Sequence, residues 1–343
     1  MARQGGRVKS HPYAGKKRGK MKQYILKRLL LIIPVLIGIT VITFAIVHLT
    51  PGGFVRSNME MNVKVSPDSM ERLKVLYGLD RPLYEQYFKW LWRFVRFDFG
   101  ESFIDNRPVL DKVLERLPAT LLLNIVSLAV IFFLGIIIGV TSALKRNSFY
   151  DRFMTLFTFI GYSVPAFWLA LILMMVFAVR WPILPVSGIT SFNFDMMSAG
   201  EQALDVMWHL ILPVFITAFG GLAYISRYVK SSMIESLTQQ YTIAAYAKGL
   251  PENRIIYKNA LKNSLLPVIT LLGLSLPGLI GGSFIFETIF AWPGMGRLAY
   301  ESAMTFDYPV IMGTVTMAAF LTLLGNLIAD ISYALVDPRI RYR

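Results

Sequence analysis

The chain alternates between long apolar stretches and shorter polar segments. Six apolar stretches contain no Asp, Glu, Lys or Arg over about 18 residues or more, which is the length that a helix needs to cross a hydrocarbon core. A charged side chain at the bilayer centre costs about 2.5–3.5 kcal/mol on insertion scales, so each stretch predicts a transmembrane helix. We expect the six spans at residues 29–49, 117–144, 153–179, 206–226, 263–286 and 308–335.

The composition favours a membrane protein over a soluble one. Of 343 residues, 55% are hydrophobic and only 16% are charged, so a soluble fold of this size would have too few polar side chains to cover its surface. We therefore predict an all-α, polytopic membrane protein. The chain contains no cysteine, which excludes disulfides, thiolate metal ligands and thiol catalysis.

The basic residues are concentrated in alternate polar segments. Residues 1–28 carry ten Lys and Arg and no acid, and residues 227–262 carry six, whereas residues 287–307 contain one arginine. The loop 50–116 holds eleven basic and ten acidic residues, but long loops are weak determinants of topology. By the positive-inside rule, the tails 1–28 and 336–343 and the loop 227–262 are expected in the cytoplasm, and the loops 50–116 and 287–307 outside it.

The first apolar run follows a basic segment and therefore has some features of a signal peptide. It extends from Leu29 to Leu49, longer than the about 7–15 residues of a signal-peptide core, and it ends without a small-x-small cleavage site. We interpret it as a retained anchor. Translation from Met21 instead of Met1 stays open at this point.

Aromatic residues are interleaved with charged ones in the second part of the loop 50–116. This pattern predicts short amphipathic helices that lie against the outer membrane face, where aromatic side chains form an interfacial belt. A docking surface for an external partner is the alternative. The aromatic residues are Tyr84, Tyr87, Phe88, Trp90, Trp92, Phe94, Phe97 and Phe99.

The loop 227–262 is too polar to span the membrane, yet its pattern predicts ordered structure. Ser232 and Glu235 have the spacing of a capping box, and Gly249 is a typical helix stop, so a helix of about four turns is expected between them. A second short helix can begin at Pro251, because a missing N–H does no harm in a first turn. We therefore expect two short helices outside the membrane, joined at Gly249.

Several short motifs follow one another along the chain. They are Tyr24–Arg28 leading into Thr50–Gly53, then Tyr241–Leu250, Ala260–Pro267, Glu287–Arg297, Asp307–Pro309 and Tyr333–Arg341. Together they resemble inner-membrane permease subunits of binding-protein-dependent ABC importers, in the dipeptide, oligopeptide and nickel permease family, and within it the B-type permease of a pair. The resemblance covers the chain from about residue 21 to its end.

The resemblance implies a type I ABC importer permease fold that forms half of a translocation pathway for dipeptides or oligopeptides. It also implies a multi-pass location in a prokaryotic inner or plasma membrane, with both termini in the cytoplasm. The implied partners are a homologous second permease, two cytoplasmic ATP-binding subunits, an extracytoplasmic solute-binding protein, the lipid bilayer and a peptide substrate, with no role for nucleic acid.

In such permeases the loop around Gly249 is a coupling element that sits in a groove of the ATP-binding subunit. The small side chains of this loop would let the partner approach the helix backbone closely. The glutamate of the general motif is Ile243 in this chain, and a basic residue common in the peptide branch is Tyr246, so an apolar contact is expected at both positions. The implied coupling residues are Ile243, Ala244, Ala245, Tyr246, Ala247, Lys248, Gly249, Leu250 and Pro251, and further family-motif positions are Glu287, Trp292, Pro293, Gly294, Gly296, Asp307, Asp337 and Pro338.

Motifs of nucleotide binding and catalysis are absent from the sequence. No G-x-x-x-x-G-K-[ST] phosphate loop occurs, so ATP and Mg²⁺ are expected in the partner subunits and no cofactor in this chain. No H-E-x-x-H or G-x-S-x-G motif occurs either, and we expect a transport subunit with no catalytic residues and no metal site. Asp330 is the only acid inside the apparent sixth helix, and an interhelical hydrogen-bonding role is favoured over proton relay.

Three alternatives follow from what the sequence leaves open. The same architecture importing nickel or oligosaccharides is the nearest one, although the spans lack the clustered imidazoles or carboxylates of a nickel site. An intramembrane enzyme would need paired catalytic residues in the spans. A secondary transporter would show uptake that survives ATP depletion and collapses with the ion gradient.

Overall fold

The structure, a computed structural model, describes residues 13–49 and 80–336, with the side chains of 26–49 and 80–331. In this part of the chain the regular secondary structure is helical, and the only strand-like pairing is an isolated bridge between Glu101 and Pro108. The all-α prediction is confirmed. The turn Thr50–Gly53 and the motif positions Asp337 and Pro338 lie outside the described residues.

The described helices are numbered in chain order. They are α1 Tyr13–Leu49, α2 Leu83–Phe94, α3 Val109–Leu144, α4 Phe149–Ser163, α5 Ala166–Met174, α6 Ala199–Thr238, α7 Gln240–Ala247, α8 Glu252–Ser264, α9 Leu266–Ser275, α10 Phe284–Ile289, α11 Met295–Met304 and α12 Tyr308–Val336. Three of these helices contain tighter or wider turns. Helix α5 continues as a π-helix over Met175–Arg180, α8 is π-helical over Ile255–Leu261, and α9 continues as a 3₁₀ turn over Leu276–Leu279.

Four of the described helices are long and apolar enough to cross a membrane by themselves. These helices are α1, α3, α6 and α12. Two bent pairs, α4 with α5 and α8 with α9, pass the same test of length and composition together, so the number of candidate spans is six if each pair counts as one.

The stretch 153–179, which the sequence presents as one span, is divided between α4 and α5, whose axes differ by 103°. Val164 has extended backbone angles of φ −86° and ψ 130°. The cause is Pro165, because a proline disfavours the helical conformation in the residue before it. The bend in the fifth apolar stretch, between α8 and α9, is milder at 42°.

Helix α6 is much longer than the predicted span 206–226. It has 40 residues and therefore a length of about 60 Å at 1.5 Å per residue, about twice the thickness of a hydrocarbon core. It begins with a capping box between Ser198 and Glu201 and continues without a break to Thr238. One continuous helix therefore extends from the membrane into the polar segment that precedes α7.

Close packing of α3 against α6 forms the centre of the fold. A Cβ atom added to Gly135 would lie 2.7 Å from Ile225, and one added to Gly139 would lie 2.6 Å from Val229. Gly135 and Gly139 form a G-x-x-x-G pair that packs within this chain, because positions without a side chain let the two backbones approach.

Helix α1 lies antiparallel to α12, and α2 packs beside both. Phe44 and Val47 of α1 form a buried cluster with Met312 of α12. The hydroxyl groups of Thr40 and Tyr87 are 3.0 Å apart, which joins α1 to α2. The opposite face of α2 leaves aromatic side chains such as Phe88 largely exposed, so this helix is amphipathic, as the pattern of the loop predicts.

Candidate functional site

Helix α7 and the turn after it form a compact unit at the end of α6. Gln239 is extended, with ψ 151°, and separates α6 from α7. At the other end Gly249 has φ +70°, the left-handed conformation that favours glycine. The N–H of Leu250 donates to the carbonyl of Ala245 at 3.3 Å, and the N–H of Gly249 donates to that of Tyr246 at 2.9 Å. These two bonds form a Schellman motif, which ends α7 in a defined turn.

Helix α7 presents one face to its own chain and the other to the surroundings. Thr242 and Ala245 are buried, with 0% and 4% exposure. Ile243 and Tyr246 are 53% and 50% exposed, although both are large and apolar or aromatic. The remaining predicted coupling residues Ala244, Ala247, Lys248, Gly249 and Pro251 are exposed, and Leu250 is half-buried.

Ala245 is the exception among the small residues expected to face a partner. Helical positions advance by about 100° per residue, so Ala244 and Ala247 share the outer face while Ala245 lies on the buried face with Thr242. Its side chain is 4% exposed, so its burial is within this chain, and its part in coupling stays a prediction.

Serine and threonine hydroxyl groups attach α7 and α8 to the end of α6. Thr242 Oγ1 donates to the carbonyl of Ser236 at 2.8 Å, and Ser236 Oγ donates to that of Ala260 at 2.9 Å. Ser232 Oγ donates to the carbonyl of Ser264 at 3.0 Å. The segment from 232 to 264 is therefore held together by bonds between its three helices.

The capping box predicted at Ser232 and Glu235 is wrong. Helix α6 continues through both residues to Thr238, because this turn of α6 is buried against α8 and its serine is used in the contact with Ser264 described above. The helix expected to have about four turns is the eight-residue α7.

A small apolar core lies beneath the coupling segment, which is defined as residues 239–264. Met233 of α6 and Ala260 of α8 are both 0% exposed and pack with Ile256 and with Ala143 of α3. Because Ala143 belongs to the end of a membrane helix, the segment contacts two spans and not α6 alone.

An ion pair joins the 145–148 turn and the start of α4 to α6. Lys230 Nζ donates to Asp151 Oδ1, and the side chains are 26% and 7% exposed. Asp151 also accepts the backbone N–H of Asn147 at 3.0 Å. This pair is not predicted in the sequence analysis above. The spacing Ser148-x-x-Asp151 indicates a helix N-cap, in which Ser148 accepts the N–H of Asp151, but it does not indicate Lys230 as the partner.

The second group of motif positions surrounds the carboxylate of Glu287, which is 1% exposed. Thr120 Oγ1 donates to Glu287 Oε1 at 2.9 Å, and the backbone N–H of Arg297 donates to Oε2 at 2.9 Å. The N–H of Met295 donates to Thr120 Oγ1 at 2.8 Å. Burial raises the pKa of Glu287, against the hydrogen bonds from Arg297 and Thr120, which lower it.

Two glycines of the motif leave room for this carboxylate. A Cβ atom on Gly294 would lie 2.4 Å from Glu287 Cδ, and one on Gly296 would lie 2.7 Å from the backbone nitrogen of Phe284. Trp292 is 0% exposed and its Nε1 donates to the carbonyl of Ala119 at 2.8 Å, while Pro293 beside it is half-buried. The motif therefore closes the turn between α10 and α11 onto α3.

Asp307 joins the hairpin before α3 to the start of α12. Its carboxylate is buried and accepts Ser102 Oγ at 2.5 Å and the backbone N–H of Phe103 at 3.0 Å. In the same hairpin, burial acts to raise the pKa of Asp105, but hydrogen bonds from Lys112 and Ser102 hold it at about 2. Glu287, Trp292 and Asp307 therefore each bond to a segment far away in the sequence, at Thr120, Ala119 and Ser102 respectively.

The described residues contain no group of three or more His, Cys, Asp or Glu side chains that could hold a metal ion. His209 Nδ1 lies 2.8 Å from the carbonyl oxygen of Asp205, one turn earlier in α6. Asp330 pairs with Arg28 of α1 at 3.1 Å, which is an interhelical contact of the kind favoured from the sequence.

Comparisons with known proteins match nearly the whole chain to inner-membrane components of transport systems. Residues 135–342 match the family model of the binding-protein-dependent transport system inner membrane component, and residues 21–124 match the model of the N-terminal part of such components. The chain is 43% identical over 323 residues to the oligopeptide transport system permease protein AppB of Bacillus subtilis, covering 94% of this chain and 100% of that protein. It is 38% identical over 339 residues to the dipeptide transport system permease protein DppB of Escherichia coli K12, with 94% and 100% coverage.

Proposed function

Because the chain belongs to the family of binding-protein-dependent transport system inner membrane components, we propose that it is a permease subunit of an ATP-driven importer of dipeptides or oligopeptides. It forms half of the translocation pathway, and a homologous second permease forms the other half. Two ATP-binding subunits supply the energy, and a solute-binding protein delivers the peptide. The peptide substrate is carried over from the names of the relatives AppB and DppB.

The observation that carries this proposal is the exposed face of α7. Ile243 and Tyr246 are about half exposed in a segment that is held rigidly by hydrogen bonds on its other face. Large apolar side chains on an ordered polar segment are typical of a surface that another protein covers. The ATP-binding subunit is the partner that the family supplies for this surface.

The two positions at which this chain differs from the family motif both lie on the exposed face of α7. Ile243 stands where the general motif has a glutamate, and Tyr246 stands where the peptide branch has a basic residue. Both side chains point outward. We propose that the contact to the ATP-binding subunit is apolar at these two positions, with Lys248 as the adjacent exposed charge.

The route of mechanical coupling is α6. A partner that moves α7 also moves the end of α6 through Thr242 and Ser236, and α6 continues as one helix into the membrane. Its glycine-lined contact with α3 passes the motion to a second span. A rigid-body switch of this kind requires stiff contacts and no catalytic side chain.

The topology of the proposal places both termini and the coupling segment in the cytoplasm. The positive-inside rule supports this orientation, since the basic residues concentrate in residues 1–28 and 227–262. The pairing of Arg28 with Asp330 supports a placement of both termini on one side of the membrane, because it brings the start of the first span beside the end of the last. In this orientation α2 and the Glu287 motif lie on the outer side.

The proposal is tested by bulky substitutions in and beside α7, measured in the importer reconstituted with its partner subunits. Ala244→Trp adds bulk to the exposed face without touching the buried one, and Gly249→Val introduces a β-branched residue at φ +70°. We expect normal membrane insertion, with loss of peptide-stimulated ATP hydrolysis and of ATP-dependent uptake into vesicles.

Gly188→Val is the matched control for Gly249→Val. Gly188 also has a positive φ, +88°, and its added Cβ would meet only the carbonyl oxygen of Thr190 at 3.7 Å. The backbone strain is therefore similar, but the position is remote from α7, so ATP-dependent uptake should persist. Unchanged uptake in both Ala244→Trp and Gly249→Val would contradict α7 as the docking element. Uptake that survives ATP depletion in the unmodified complex would contradict an ATP-driven importer.

A further inference from the structure

A groove between α1 and α12 has a charged pair at one end and apolar walls along the rest. Its volume is about 350 Å³, within the range of ligand sites in proteins. Arg28, Leu31 and Val35 line it from α1 at helical spacing, and Asn326, Leu327 and Asp330 line it from α12. The polar side chains therefore lie at one end of the groove, and the apolar side chains line the remainder of it.

The charged end coincides with the ends of two candidate spans. Arg28 directly precedes the charge-free stretch 29–49, and Asp330 directly follows the charge-free stretch 308–329. The polar end of the groove therefore lies where lipid headgroups meet hydrocarbon, and its apolar part extends toward the bilayer centre. This is the layout of a phospholipid, with its headgroup at the pair and an acyl chain along Leu31, Val35 and Leu327.

The two charges decide which headgroup fits. Arg28 Nη1 and Asp330 Oδ2 are 3.1 Å apart, and their side chains are 47% and 23% exposed, respectively. An anionic headgroup would meet Arg28 but would be repelled by the neighbouring carboxylate. A zwitterionic headgroup offers its phosphate to the guanidinium and its cation to the carboxylate, so both charges find a complement.

Among zwitterionic lipids the nature of the cation matters. A primary ammonium has three N–H donors for the carboxylate and for the side-chain carbonyl of Asn326, whereas a trimethylated ammonium has none. We propose that this groove binds phosphatidylethanolamine, with the phosphate on Arg28, the ammonium on Asp330 and one acyl chain between α1 and α12. The site is independent of the coupling segment and of the transported solute.

The experiment uses the full-length chain purified in a neutral detergent and depleted of lipid. It is offered an equimolar mixture of phosphatidylethanolamine, phosphatidylcholine and phosphatidylglycerol with identical acyl chains, and the retained lipids are measured by mass spectrometry. We expect phosphatidylethanolamine to be enriched over both others. Asp330→Asn should reduce its retention roughly tenfold, as loss of a charge-assisted hydrogen bond implies.

Two further variants keep the result decisive if Asp330→Asn does not fold. Leu327→Trp fills the apolar part of the groove, leaves the charged pair intact and should lower retention of all three lipids. Lys27→Gln changes a neighbouring exposed basic residue that does not line the groove, and it should leave retention unchanged. Equal retention of the three lipids by the unmodified chain, or unaltered retention of phosphatidylethanolamine by Leu327→Trp, would overturn the proposal and leave the pair as a simple helix tie.

Discussion

Thr120 of α3 and Glu287 of α10 are 167 positions apart in the sequence and are joined by a hydrogen bond of 2.9 Å. The same hydroxyl oxygen of Thr120 accepts the N–H of Met295. One side chain therefore satisfies a buried carboxylate and a buried backbone donor at once. This contact fixes the Glu287 motif to the start of a long membrane helix.

Thr120→Val removes this hydroxyl while nearly preserving shape. We expect a loss of about 1–3 kcal/mol of stability, because a buried acceptor and a buried donor are left unsatisfied. The measurement is the thermal unfolding midpoint of the purified protein in detergent. Thr141→Val on the same helix is the control, since the Thr141 hydroxyl bonds only to the carbonyl of Ile137 within α3 and is exposed. Equal midpoints for the two variants would refute the role of Thr120.

Gly294→Ala tests whether the glycines of the motif are required by space. The added Cβ would lie 2.4 Å from Glu287 Cδ, and overpacking of this kind costs about 1–3 kcal/mol or more. Backbone strain is not the cause, because Gly294 has φ −103°. Gly278→Ala is the matched control, since a Cβ there meets nothing within 4 Å. We expect lower folded yield for Gly294→Ala alone.

The stability of the Glu287 core should depend on pH. Burial raises the pKa of Glu287 in the folded protein, so folding favours its protonated form despite the hydrogen bonds from Arg297 and Thr120. The associated stability is fully present below the unfolded pKa of glutamate, about 4.3, and is lost as pH rises through the folded value.

Glu287→Gln isolates this dependence. At acidic pH the variant should be less stable than the unmodified chain, because the N–H₂ group of the glutamine side chain would face backbone N–H donors. The unfolding midpoint of the variant should also change less between acidic and neutral pH than that of the unmodified chain. If the difference in unfolding midpoint between the variant and the unmodified chain stays the same from acidic to neutral pH, Glu287 does not titrate as expected.

The ion pair between Lys230 and Asp151 should contribute to coupling. It joins the start of α4 to α6 just before the coupling segment, and loss of one partner leaves a largely buried charge, at a cost of about 1–3 kcal/mol. We expect Lys230→Met and Asp151→Asn to raise the number of ATP molecules hydrolysed per peptide imported. The charge-swapped double variant Lys230→Asp with Asp151→Lys should recover part of the coupling, and a double variant as impaired as the sum of the singles would argue against a direct pair.

The positions of the apolar stretches, and with them the all-α class, follow from the sequence alone. The reason is physical: the cost of a charge in hydrocarbon acts on each segment separately, so a charge-free run of sufficient length is a local signal. The stop at Gly249 is local in the same sense, because the αL turn that ends α7 favours a residue without a side chain.

The tertiary structure decided what depends on distant contacts. The continuation of α6 through Ser232 to Thr238 arises from packing against α8, which overrode a plausible capping signal. The inward position of Ala245, the bond from Thr120 to Glu287 and the pairs Lys230 with Asp151 and Arg28 with Asp330 join helices far apart in the chain. No local pattern encodes such partners, because their free energy exists only once the helices have packed together.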